Sequence, residues 1–168
     1  MKRLAAVAGT LALLAGCSSA PPASVDAIAT TTQLGSVVGD IASCAGGTSR
    51  TLMTPGLDPH DFALSAREVA DMERARLVVV NGLGLEGGMT TALQNVRVDG
   101  GRIFEVAPTV NPQPLAQAAH DHADASGHDG DDPHVWMDVA RMASAAGHLG
   151  DALAEATGNG RYAACGRQ

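Results

Sequence analysis

Apolar residues recur along this chain at two different periods, and the switch between them marks out the elements. Ser24 to Thr31 carries a short β-compatible run that predicts a first strand. Leu34, Val37, Val38 and Ile41 then recur at helical spacing, predicting a helix over Gln33 to Ser43 capped by Thr32 and broken at Ala45-Gly46-Gly47. Arg50 to Met53 reads as a second strand. Ser65-Ala66-Arg67-Glu68 is a capping box, so a helix is expected from Ala66 to Arg74. Leu77-Val78-Val79-Val80 is a continuous apolar run, the pattern of a strand buried on both faces. Asn81 to Gly84 forms the turn after it. Glu86 to Val96 predicts a helix weakened by Gly87 and Gly88, and Arg102 to Val106 a fourth strand. Asp138 can cap a helix over Val139 to Thr157, with Met142, Ala145, Ala146, Leu149 and Leu153 on one face. Gly158-Asn159-Gly160 ends it, and Arg161 to Gln168 starts another.

Strands alternating with helices predict βαβ units and an α/β fold with a parallel sheet flanked by helices. Such sheets bind ligands beyond the carboxyl ends of their strands. Two histidine-bearing loops follow predicted strands. Thr54-Pro55-Gly56-Leu57-Asp58-Pro59-His60-Asp61-Phe62 follows the second and delivers His60; Asp132-Pro133-His134-Val135-Trp136 follows the fourth and delivers His134. Both loops are expected at the same end of the sheet.

Composition narrows this further. A chain of 168 residues is enough for one domain. Only 2% is aromatic, so the core must be aliphatic. The formal net charge of -7 argues against nucleic acid and suits a protein that handles cations. Lys2 and Arg3, an apolar run from Leu4 to Leu14, and Leu14-Ala15-Gly16-Cys17 have the form of an export signal over residues 1–16. The apolar run is too short to span a bilayer as a mature helix. The Leu-Ala-Gly-Cys pattern resembles a bacterial lipoprotein signal, which implies cleavage before Cys17 and lipid on that cysteine; the plainer alternative is a secretory signal with an incidental cysteine. A polar tether, residues 17–24, follows. Export implies an oxidising environment. Cys44 and Cys165 then remain, and they can pair or stay free; spacing does not decide which.

Residues 119–132, with the four that follow, hold four of the six histidines among five aspartates. Imidazole and carboxylate are the ligands zinc accepts best, alongside thiolate. From His120 to Asp131 there is no hydrophobic periodicity, so His120, His122 and His128 are expected on a mobile loop as auxiliary zinc contacts. Pro133 and Trp136 stiffen the segment around His134.

Three ordered motifs carry a family resemblance: Pro55-Gly56-Leu57-Asp58-Pro59-His60-Asp61, then Asp71 to Glu86, then Asp132-Pro133-His134-Val135-Trp136-Met137-Asp138. Behind the lipobox, they resemble the zinc- or manganese-binding substrate-binding lipoproteins of ABC transporters. The resemblance implies two α/β lobes joined by a long helix, one metal between them, and His60 and His134 as the ligands from the first lobe. The His-rich loop resembles the zinc-selective members, with manganese the other candidate. It implies delivery of the ion to a membrane permease from a chain held by lipid at the outer face of the cell membrane, or in the periplasm. Residues 25–160 correspond to the first lobe, and residues 161–168 to the start of the interlobe helix, so the chain reads as a truncated receptor. Gly88 departs from the family, which usually carries an aromatic residue there. Glu86 reads as a helix-start carboxylate favoured by the dipole, with an outer-shell role at the metal as the alternative.

Two other classes compete. A surface zinc buffer or adhesion-type protein needs the metal site but no permease. A zinc hydrolase needs an open metal position and a general base. No His-Glu-x-x-His helix, nucleophile elbow or phosphate loop is present, so the chain is not read as an enzyme.

Overall fold

The computed structural model describes residues 24–115 and 130–168. The signal segment, Cys17, most of the tether, and His120, His122 and His128 lie outside the described residues. Among the described residues the elements run β1 (Ala27–Ala29), α1 (Thr32–Ala45), β2 (Ser49–Thr51), α2 (Ala66–Arg74), β3 (Leu77–Val80), α3 (Thr90–Val98), β4 (Ile103–Glu105), α4 (Val139–Thr157) and α5 (Arg161–Cys165). The strands form one parallel sheet in the order β2-β1-β3-β4.

Side chains of a strand alternate between sheet faces, and β3 fills both. Leu77 and Val79 join Ala27 and Ala29 in a core with Leu34, Val38 and Ile41 of α1, Leu149 and Leu153 of α4, and Tyr162 of α5. Val78 and Val80 join Ile28, Leu52, Met72 of α2 and Val96 of α3 on the other face. The continuous apolar run is therefore a strand sandwiched between two helical layers, as its pattern predicts. No helix among the described residues is long and apolar enough to cross a membrane.

Two start signals operate as expected. Ser65 accepts from Glu68 N–H, and the Glu68 carboxylate accepts from Ser65 N–H at 2.7 Å. Asp138 accepts from the N–H groups of Ala140 and Arg141, starting α4 at Val139. Two expectations need correction. The cap of α1 is Thr31, whose side chain accepts from Leu34 N–H, and the helix begins at Thr32. The helix expected over Glu86 to Val96 splits into a 3-10 turn at Gly87–Met89 and α3 from Thr90, because two consecutive glycines make a poor first helical turn.

The C-terminal end is fastened to α1. Cys44 and Cys165 form a disulfide with Cα atoms 5.9 Å apart, closing a sequence separation of 121 residues. Beside it, the fully buried Tyr162 donates its hydroxyl to Asp26 at 2.9 Å. Burial and the adjacent Asp26 carboxylate push the phenol well above the usual tyrosine range. Gly47 must be glycine here: a Cβ would stand 1.7 Å from the Tyr162 hydroxyl oxygen.

Candidate metal centre

The site is built from three loops beyond the carboxyl ends of the strands. The first follows β2 and ends at His60. Asp58 accepts from His60 N–H at 2.9 Å, closing a tight turn that presents the ring. The third precedes α4, and Asp132 repeats the arrangement by accepting from His134 N–H at 2.9 Å. The same Asp132 oxygen lies 2.6 Å from His134 Nδ1. A neutral imidazole that donates Nδ1–H to this carboxylate presents the lone pair of Nε2 outward, the form that binds a metal. The backbone and side-chain hydrogen bonds from His134 hold the Asp132 carboxyl below its ordinary range.

The structure brings His60 and His134 together. Their ring centroids lie 6.1 Å apart, both side chains are exposed, and both line one cavity of about 330 Å³ with Leu83, Gly84, Leu115 and Pro133. Trp136 packs edge-on against His134 at 5.2 Å and also lines a cleft with Thr31, Met53, Leu57 and Pro59 of the neighbouring loops. It thus stands between His134 and a cleft shared with the His60 loop. Among the described residues, no group of three or more His, Cys, Asp or Glu side chains is gathered to hold a metal. His148 is exposed on α4.

The second loop, Asn81 to Met89, ties the other two, and its central residue is Glu86. Glu86 is not a helix-start carboxylate. It is 4% exposed, and it accepts from Thr30 Oγ1 at 2.8 Å, Asn81 N–H at 2.6 Å and Gly82 N–H at 3.1 Å. Those bonds hold a turn in which Gly82, Leu83 and Gly84 all have positive φ. From this turn Asn81 donates its side-chain amide to Pro133 O at 2.9 Å, beside His134. Gly88 N–H donates to His60 O at 2.9 Å. A Cβ on Gly88 would lie 2.6 Å from Phe62 O, so glycine is what lets the His60 loop close onto the bracket. Sequence reasoning missed this role of Glu86. Its signal was there: Glu86 is the only charged residue from Leu77 to Val96, so no cation nearby in sequence could pair with it.

The chain matches known proteins over this whole region. The family model described as "Zinc-uptake complex component A periplasmic" matches residues 28–164. A Treponema pallidum protein described as metal-binding is 32% identical over 91% of this chain and 51% of its own length. The manganese-binding lipoprotein MntA of Halalkalibacterium halodurans is 32% identical over 64% of this chain and 33% of its own. Among solved structures, the manganese-bound periplasmic metal-binding protein of Candidatus Liberibacter asiaticus superposes with a TM-score of 0.67 at 22% identity, covering 84% of this chain and 50% of that one. Zinc-bound AdcA of Streptococcus pneumoniae gives 0.67 at 18% identity, covering 86% and 29%. The chain thus spans about half the length, or less, of these proteins. A family match over most of the described fold, carrying the two loops that present His60 and His134, makes this chain a member of the zinc-uptake complex component A family.

Proposed function

We propose that the chain is the first lobe of an extracytoplasmic zinc receptor that hands the ion to an ABC transporter permease, with manganese the alternative cargo. The observation that carries this is the pair His60 and His134: two imidazoles from separate loops, 6.1 Å apart, each loop turned by its own aspartate. Two neutral imidazoles give half of a tetrahedral zinc shell. The relatives are about twice this length, which supports a second lobe that supplies the rest. So does the rim: Leu57, Leu115 and Met137 are large apolar side chains left exposed beside the two histidines. The His/Asp tract offers auxiliary contacts. Its described flanks meet beside the cavity, where Leu115 N–H donates to Gly130 O and Asp132 N–H to Gln113 O.

Lipid on Cys17 would hold the receptor at the outer face of the membrane. Catalysis is not part of this reading: the two carboxylates bonded to the paired histidine segments among the described residues, Asp58 and Asp132, are engaged in orienting them. Zinc accumulation measured in cells with and without the permease tests the proposal. Uptake should rise with this protein only when the permease is present. Equal rises in both would indicate a surface zinc buffer instead.

A further inference from the structure

A second cavity, of about 180 Å³, opens between β2 and α2 where the chain enters β1, and shares no lining residue with the histidine cavity. Arg50, Arg67, Arg74 and Asp71 line it over a floor that includes Val25 and Ile28, with Ser24 at its edge. Three arginines and one carboxylate therefore line it, in a protein whose formal charge is -7. Asp71 is fully committed: one oxygen takes Arg50 Nη1 at 2.7 Å and the other takes Arg74 Nη2 at 2.5 Å. Burial works to raise its pKa, yet the hydrogen bonds and charges of Arg50 and Arg74 outweigh that and hold the carboxyl below its ordinary range. The neighbouring Glu68 is engaged in the Ser65 cap. Arg67 forms no ion pair among the described residues, and Arg50 Nη2 is buried without a hydrogen-bond partner among them.

Surplus guanidinium charge is what a planar or tetrahedral oxyanion satisfies, because arginine forks match phosphate oxygens in geometry and charge. We infer that this cavity is a phosphate-class oxyanion site, held by Arg50, Arg67 and Arg74. Two sources supply such a group at a cell surface: free phosphate, or the headgroups of anionic phospholipids. Ser24 makes the second source reachable. With Cys17 lipidated as proposed above, the stretch from Cys17 to Ser24 spans at most about 25 Å, so the cavity stays within that distance of the bilayer.

Calorimetric titration with inorganic phosphate at low ionic strength tests the site, beside Arg67→Ala and Arg50→Met variants. Flotation of the Cys17→Ser chain with vesicles of phosphatidylcholine, with and without phosphatidylglycerol, separates the sources. Arg67 is exposed and its loss leaves the Arg50–Asp71–Arg74 pairs intact, so its variant retains the fold; an unchanged zinc titration checks this. Removing one charged donor should weaken binding about tenfold. Phosphate binding, or flotation only with phosphatidylglycerol, each weakened about tenfold in Arg67→Ala, supports the site and names its source. Neither response in the parent chain, or a response indifferent to Arg67, overturns it.

Discussion

Glu86 makes the sharpest test of how the fold serves the site. Its carboxylate accepts three buried donors, two from the backbone of Asn81 and Gly82 and one from Thr30. Glu86→Gln keeps one oxygen for Asn81 and Thr30 but turns an NH₂ group toward Gly82 N–H. One donor is orphaned and two charged bonds become neutral, a cost of about 2 kcal/mol. Glu86→Ala orphans all three and leaves a void, costing about 4 kcal/mol. Urea unfolding followed by the fluorescence of Trp136, the only tryptophan, reads this directly. With a slope of about 2 kcal/mol per molar, the midpoints should fall by about 1 M and about 2 M. The bracket also reaches both histidines, through Asn81 to Pro133 and through Gly88 to His60. Zinc affinity of the folded Glu86→Gln chain should therefore fall about tenfold, in the range seen when groups behind metal ligands are removed. A parental midpoint in Glu86→Ala would refute the satisfied-carboxylate account. Lost stability with parental zinc affinity would refute its link to the histidines.

Other consequences are as direct. Asp132→Ala should lower zinc affinity about 10- to 100-fold while stability changes little, since it frees the His134 ring from its orienting carboxylate on an exposed loop. Tyr162 is the only tyrosine, so tyrosinate absorbance reports it alone. Its pKa is raised by folding, so its contribution is present below the ordinary value of about 10 and is lost as pH rises above it. Tyrosinate should appear only as the chain unfolds in alkali, and Tyr162→Phe should flatten the alkaline loss of stability; ionisation in the folded chain at the ordinary value would contradict this. Reducing the Cys44–Cys165 disulfide, which closes a long span, should cost about 2–5 kcal/mol in urea unfolding.

The elements that sequence pattern located accurately are those whose signals are local. The Ser65–Glu68 capping box set α2 to the residue, the Asp138 cap set α4, and the apolar run set β3. Short-range motifs likewise marked the loops carrying His60 and His134, and the parallel topology brought their rings together. What sequence could not reveal are contacts between positions far apart in the chain. Asn81 reaches Pro133 across 52 residues, Thr30 reaches Glu86 across 56, and Tyr162 reaches Asp26 across 136. The arginine cavity is likewise assembled from residues 24 to 74, on two strands and a helix. Gly88 illustrates the same limit: as a letter it weakened a helix, while in space it lets one histidine loop touch the bracket that holds the other.

The measurement that bears most directly on the metal centre is a calorimetric zinc titration of the chain, beside a His60→Ala/His134→Ala double variant and a variant lacking residues 120–131. The account predicts that the double variant loses most of the affinity and that the loop deletion removes only weak, additional sites. Parental affinity in the double variant, with binding abolished by the deletion alone, would contradict it and make the His/Asp tract the place where zinc is held.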